Sequence, residues 1–334
     1  MKKLMLLPII TLLSFTLYAQ KSDSVDGPKI VPILSEQPVI YDRAQIQDQL
    51  DAMEQPVLAV GAVEVQQDYI STRFDRHEAR KLIIPEVGLD QVRKYWSRSL
   101  KKSGDGKLRT DGNRLTIDQV VIESVAADPF DVEVQIEETP DLVNLWMALE
   151  RDSVALSSND EPQLFTALES YLRNEGLEIY RSKVQDEIDR EEKVLRDLNN
   201  DLESLIKDNE KMHKKITDNN LKIEDNNRKL ETNKIERRNS VERISERKDI
   251  LLNARTSEEE KDAKKALKTA EKEGKQLDKD RNKMYDQLVD YQKEIQENEQ
   301  LISQNLNDQR DMLLSIKKQE LLVEAYKTKL ASIK

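Results

Sequence analysis

Apolar positions obey two different rules along this chain. Up to about residue 160 the rule changes every few residues. Asp42 is placed to cap a short helix that carries Ile46, Leu50 and Met53 on one face. Val57 to Val65 (VLAVGAVEV) is a continuous apolar run rich in β-branched residues and predicts a buried strand. Leu82-Ile83-Ile84 predicts a second strand, ended by Pro85. Leu89, Val92, Trp96 and Leu100 follow helical spacing, and Ser103-Gly104 closes that helix. Lys107 to Thr110 and Arg114 to Val125 flank Asp111-Gly112-Asn113, a hairpin turn. Val132, Val134 and Ile136 alternate with Asp131, Glu133 and Gln135, and Val143, Leu145, Met147 and Leu149 recur with the same period of two. The pattern predicts a small α+β domain with an antiparallel sheet over residues 41–160.

Beyond residue 160 one rule holds to the end. Asp160-Glu161-Pro162 starts a helix, with Asp160 as cap. Leu164, Leu168 and Leu172 form a stripe whose partner is the small domain. A heptad then begins. Its a positions include Ile188, Leu195, Leu202, Asn209, Ile216, Ile223, Leu230, Arg237 and Ile244. Its d positions turn polar after Met212, with Asn219, Asn226, Asn233 and Ser240. The seam breaks at 253–257, where Thr256 and Glu259 read as a capping box. A second heptad follows, with Leu267, Gly274, Arg281, Leu288, Ile295, Ile302, Gln309, Ile316 and Val323 at a.

Leu177–Ala254 and Ser257–Lys334 have equal lengths of 78 residues. Each arm would reach about 115 Å at ~1.5 Å per residue. Folding back at 255–256 pairs position 188 with 323, 195 with 316, 223 with 288 and 244 with 267, and sets Arg237 opposite Gly274. The expectation is an antiparallel coiled-coil hairpin, with arms 161–254 and 257–334. A continuous parallel dimer and, near the tip, a lone charged helix are the alternatives.

Composition supports the helical reading. Charged residues make up 36% and aromatics 4%, yet residues 163–334 lack proline and hold two glycines, Gly176 and Gly274. A disordered tail of this length would hold more of both. At the N-terminus, Lys2 and Lys3, the apolar stretch Leu4–Leu17 and Ala19 read as a signal peptide over 1–19. That stretch is shorter than the ~20 residues of a bilayer span. Residues 20–40 read as an extended leader. The expectation is an exported chain, periplasmic or secreted, without a transmembrane segment once the signal is removed. The chain has no cysteine, so disulfides, lipid attachment and thiol chemistry are excluded. The net charge of −11 disfavours nucleic acid as a partner.

No constellation for catalysis, metal or cofactor emerges. His77 lies in Arg73-Phe74-Asp75-Arg76-His77-Glu78, a cluster that could take an anion or form a solvated edge. His213 is expected on an exposed helix face. Asp105-Gly106-Lys107 and Asp111-Gly112-Asn113 look like fragments of a calcium loop but lack its acidic spacing, and turns explain them better. Trp96 is expected in the core. Trp146 lies on the face opposite Val143, Leu145 and Met147, where the Leu164–Leu172 helix is a candidate cover.

Leu82-Ile83-Ile84-Pro85, Val92-Arg93-Lys94-Tyr95-Trp96, Asn144-Leu145-Trp146-Met147-Ala148-Leu149, Leu156-Ser157-Ser158, Glu191 to Leu195 and Asn209 to His213 carry a resemblance. Over residues 80–240 the chain resembles a group of secreted proteins of Bacteroidetes-type bacteria, in which a small α+β domain precedes a coil. The resemblance implies that architecture and export, and no catalytic residue. A second likeness is to periplasmic holdase chaperones of the Skp/OmpH type, which are basic and shorter and insert their hairpin within the body. The expected function is a non-enzymatic structural or protein-interaction protein of the cell envelope, with the hairpin as spacer or partner-binding arm. A protein partner, or self-association through the coil, is implied. The alternatives are a holdase-type chaperone or a regulator of a cell-wall enzyme.

Overall fold

A computed structural model describes residues 41–71, 76–104 and 106–334. The signal peptide and leader, Arg73-Phe74-Asp75 and Asp105 lie outside the described residues. Those described divide into two compact sections. One comprises the residues up to Met212 together with Leu301–Lys334, and contains the sheet. The other is His213–Gln300, which contains the helical turn.

In the sheet section, Asp42 accepts the Ala44 N–H (2.9 Å) and starts a 3-10 turn, Arg43–Ile46, that continues as α1, Gln47–Asp51. Ile46 and Leu50 are buried, as their spacing predicts. The segment is tied to the last helix at both ends. The Tyr41 N–H donates to Gln309 Oε1 (3.1 Å), and Gln55 Nε2 donates to Thr328 Oγ1 (3.4 Å).

The strand expected over Val57–Val65 does not form. Val57 is 96% exposed, and β1 begins only at Glu64 and runs to Ser71. The physical reason lies at Gly61. Its N–H donates to the Tyr180 hydroxyl (3.0 Å), and a Cβ there would meet Pro85 Cγ at 2.4 Å. The run crosses Pro85 at close range and gives its backbone to a side chain instead of a ladder.

Strand β2 (Arg76–Pro85) pairs with β1, and α2 (Leu89–Ser103) follows. Then come β3 (Arg109–Asp111), β4 (Arg114–Val120), β5 (Phe130–Glu138), β6 (Leu142–Arg151) and β7 (Val154–Ala155). The sheet is antiparallel, in the order β1-β2-β6-β5-β4-β3, with β7 beside β6. Gly112 takes φ +57° in the β3–β4 turn, which its lack of a Cβ permits. β4 is shorter than the expected 114–125. A bulge between Ile117 and Val120 turns it off, with Gln119 at φ +55° and its N–H donating to Asp131 Oδ1.

Alternation places Leu82, Ile84, Val132, Val134, Ile136, Val143, Leu145, Met147 and Leu149 on one face. α2 lays Val92, Trp96 and Leu100 on that face. The long helix α3 (Pro162–Leu252) adds Leu164, Phe165, Leu168 and Leu172. Trp96 is fully buried, edge-on to Tyr95 and Tyr171 with centroids at 6.2 and 5.9 Å. Burial pushes the Tyr171 hydroxyl up to about 12. Burying a side chain of this kind contributes about 2–3 kcal/mol.

The core continues along α3 through Ile179, Tyr180, Val184 and Ile188 and takes Ile333, the residue after the last of α4 (Ser257–Ser332). Lys329 on α4 donates to Glu86 Oε2 (2.6 Å), and Arg181 donates to the Ile333 carbonyl (3.1 Å). These bonds fasten the end of α4 to the end of β2 and to α3. The α+β domain followed by an antiparallel helical hairpin is therefore the architecture.

Trp146 is not covered by the Leu164–Leu172 helix, which lies on the other face. Its Nε1 donates to Asp68 Oδ2 on β1 (2.8 Å), and Lys81 Nζ sits 5.0 Å from its ring. The β1–β2 hairpin supplies its own cover because Ala79 and Ala148 leave room for Ile70 beside Trp146.

Candidate functional site: the turn-bearing hairpin

The section His213–Gln300 is two antiparallel helices joined at 253–256. The turn is made as its sequence predicts. Thr256 Oγ1 accepts the Glu259 N–H (3.1 Å), while Glu259 Oε2 accepts the N–H groups of Thr256 (3.1 Å) and Arg255 (2.9 Å). These donors hold the Glu259 carboxyl below the usual carboxylate range. Three N–H groups are thus satisfied at the start of α4.

Inward positions of this hairpin alternate between aliphatic and amide. Ile216, Ile223, Leu288 and Ile295 are buried, and so are Asn219, Asn226, Asn233, Ser240 and Asn298. The amides bond across or along the seam. Asn219 Nδ2 donates to Glu294 Oε2 (2.8 Å), Asn226 Nδ2 to Gln287 Oε1 (3.3 Å) and Asn233 Nδ2 to the Leu277 carbonyl (3.0 Å). Asn298 bonds its own helix at the Glu294 carbonyl (2.6 Å). Asn233 Oδ1 is buried with no hydrogen-bond partner among the described residues. Each amide in place of a leucine forgoes about 1.5–3 kcal/mol of apolar burial.

Pairing near the turn differs from the expected one. Gly274 lies against Ser240 and Ile244, not Arg237, and a Cβ there would meet Ser240 Oγ at 3.2 Å. Arg237 instead reaches Asp278, with Nε 2.6 Å from Oδ1. The charge finds an acid on the facing helix, a stronger preference than sitting beside a small residue.

The outside of the section carries aliphatic side chains. Leu221 (59% exposed), Ile235 (60%), Val241 (66%) and Val289 (61%) face solvent. A groove of about 590 Å³ is lined by Glu236, Asn239, Arg243, Glu273, Gln276 and Leu277. The section thus keeps amides inside and several aliphatics outside. That is the reverse of what maximal stability of the isolated hairpin would select.

The histidines take other places than expected. His213 is half-buried, not exposed, and neither ring nitrogen has a hydrogen-bond partner among the described residues. Burial pushes its pKa below the usual histidine value. His77 sets Nδ1 3.0 Å from Glu150 Oε1. Strand alternation splits its cluster, sending Glu78 to the helix-covered face. There Glu78 accepts from Arg80 (2.6 Å), Gln67 (3.0 Å) and the Ser158 N–H (3.0 Å), and Arg80 also donates to Glu169 on α3 (2.6 Å). Arg76 packs over Tyr69, 5.0 Å from the ring centroid. The described part of the cluster is thus split between the two faces of the sheet, and no single anion site forms from it. Gly106 approaches the backbone of Asp118 so closely that a Cβ would lie 2.2 Å from its carbonyl oxygen, which marks a tight crossing. Among the described residues no group of three or more His, Asp or Glu side chains is gathered as metal ligands. Among them, too, no helix is long and apolar enough to cross a membrane.

The buried Glu78–Arg80 pair, with the half-exposed Glu169 beside it, escaped sequence reasoning. Its only signal was charge at alternate positions of β2, which reads equally as a solvated edge. The chain matches no protein-family model, and no curated protein or solved structure is significantly similar to it.

Proposed function

We propose that this is a non-enzymatic, exported interaction protein whose helical hairpin is its partner-binding arm. The carrying observation is the inversion in His213–Gln300, with amides in the seam and Leu221, Ile235, Val241 and Val289 outside. Aliphatic side chains held in water are offset when a protein partner covers them. The proposal of export rests on Lys2, Lys3 and the apolar stretch Leu4–Leu17.

The test is site-specific photocrosslinking in the cell envelope, with the photoreactive group placed at Leu221 or Val289. The reading expects discrete crosslinked bands at these positions and none at Lys207, an exposed control in the sheet section. Absence of adducts at both positions sinks it. The same outward aliphatics would also serve a holdase chaperone. Suppression of aggregation of an unfolded client by the purified protein, lost when all four aliphatics are changed to serine, would shift the assignment to that reading.

A further inference from the structure

β1 is an edge strand of unusual openness. In the order β1-β2-β6-β5-β4-β3 it has β2 as its one strand neighbour among the described residues. It is eight residues long, Glu64 to Ser71, and pairs with β2 in unbroken register. Natural sheets protect such edges with short strands, proline, lysine or bulges. The opposite edge is protected in this way. β3 has three residues, with Arg109 in it, and β4 beside it is bulged. β1 has no proline, lysine, arginine or bulge. Its side chains at 64, 66, 67, 69 and 71 are exposed. The Tyr69 N–H turns to its own neighbour, Asp68 Oδ1 (2.8 Å), at an exposed position, so this donor does not join the ladder to β2. Alternation then directs the backbone donors of Val65 and Gln67 to the same open side.

The strand is also complementary to itself. An antiparallel copy about a two-fold axis at Gln67 sets Val65 opposite Tyr69, Gln66 opposite Asp68, Glu64 opposite Ile70 and Gln67 opposite Gln67. No like charges face each other. Val65 with Tyr69 is a favourable β-branched–aromatic cross-strand pair, and Gln66 offers an amide donor to the carboxylate of Asp68. An isologous contact of this kind closes on itself, so it ends at two chains.

We infer that β1 pairs with β1 of a second copy of this chain, joining two seven-stranded sheets into one continuous sheet. This goes beyond the partner-binding arm and uses a different surface.

The chain has no cysteine, so Gln67→Cys introduces a lone thiol at the two-fold axis. Across an antiparallel pair the Cα atoms at that position lie about 5.5 Å apart, within disulfide reach. Mild oxidation of full-length Q67C should convert it to a covalent dimer. T116C, on β4 and away from the two-fold axis, should form no covalent dimer under the same conditions. Light scattering of the unaltered chain should give twice the monomer mass. Gln67→Pro removes an outward N–H that an edge strand can spare, and should return the mass to that of a monomer with an unchanged circular dichroism spectrum. A monomeric mass for the unaltered chain at the concentration of the oxidation reaction overturns the inference. So does a dimer in which Q67C fails to crosslink, because the copies would then meet elsewhere. If Q67P does not fold, the crosslink and the unaltered mass decide alone.

Discussion

The two sections are built from similar helices and held by different chemistry. The sheet section buries Trp96, Phe130, Phe165 and Tyr180 in one continuous cluster and closes its few buried charges into hydrogen-bonded networks. The section His213–Gln300 has no fully buried aromatic side chain among its described residues, and amides fill much of its seam. Burial of apolar area is non-directional and large, whereas a seam amide contributes little net stability once its bonds to water are counted. Stability therefore concentrates around the sheet, and the hairpin section keeps geometry and register at low cost to its exposed surface. A helix pair that binds a partner needs the second property more than the first.

Four perturbations sharpen this contrast, in order of expected size. Trp96→Ala should destabilise the sheet section by about 3–5 kcal/mol, read as a lowered denaturation midpoint by near-ultraviolet circular dichroism. Much of the helical signal, which belongs to His213–Gln300, should unfold at an unchanged midpoint. A single common transition that shifts as a whole would erase the contrast. Arg80→Met comes next. It leaves Glu78 buried with its guanidinium partner gone, and should cost about 3 kcal/mol in the same assay. A loss below about 0.5 kcal/mol would show that water reaches Glu78.

Asn233→Leu should act in the opposite direction. It replaces a buried amide with an unpartnered oxygen by an apolar side chain, and should stabilise His213–Gln300 by about 1–2 kcal/mol, seen as slower amide hydrogen exchange in that section alone. Destabilisation would mean that the Asn233–Leu277 bond sets the register.

The smallest effect is that of pH on His213. Burial lowers its pKa in the folded chain below 6.5, so the folded state favours the neutral ring. Between the lowered value and 6.5 the unfolded chain binds the extra proton. Stability is therefore full well above pH 6.5 and falls as the pH drops through 6.5 towards the lowered value. Thermal melts at about pH 5 and about pH 7.5 should differ in the unaltered chain, and the part due to His213 should vanish in H213L. An equal pH response in H213L would assign the effect to other groups.

Much of the architecture could be read from residue spacing. Ile216, Ile223, Leu288 and Ile295 are buried at the positions their seven-residue period marks, and Asn219, Asn226 and Asn233 take inward places in the same frame. Periodicity is visible because a helix repeats one geometry, so each turn confirms the last. The strand at β1 was illegible for the opposite reason. Glu64-Val65-Gln66-Gln67-Asp68-Tyr69-Ile70-Ser71 is polar on most of both faces, and an edge strand needs little burial. The neighbouring VLAVGAVEV has the composition of a strand, yet most of it pairs with no strand. Trp146 could be placed on the outer face, but its cover came from Asp68, far from it in sequence. The outward aliphatics of the hairpin were readable only as non-seam positions, with no sign of how exposed each would be.

The sequence by itself determined the helix–turn–helix of the second half, the capping box that starts α4, the polar seam and the alternating central strands. All of these depend on contacts within a few residues or on a repeated period. Only the tertiary structure decided which sheet edge stays open, where the Gly61 segment crosses Pro85, and that the buried pair Glu78 and Arg80 is met by the half-exposed Glu169. It alone set Arg237 on Asp278 in place of Gly274. Each of these turns on which distant groups satisfy a backbone N–H or a buried charge, and that choice exists only once the chain has folded back on itself.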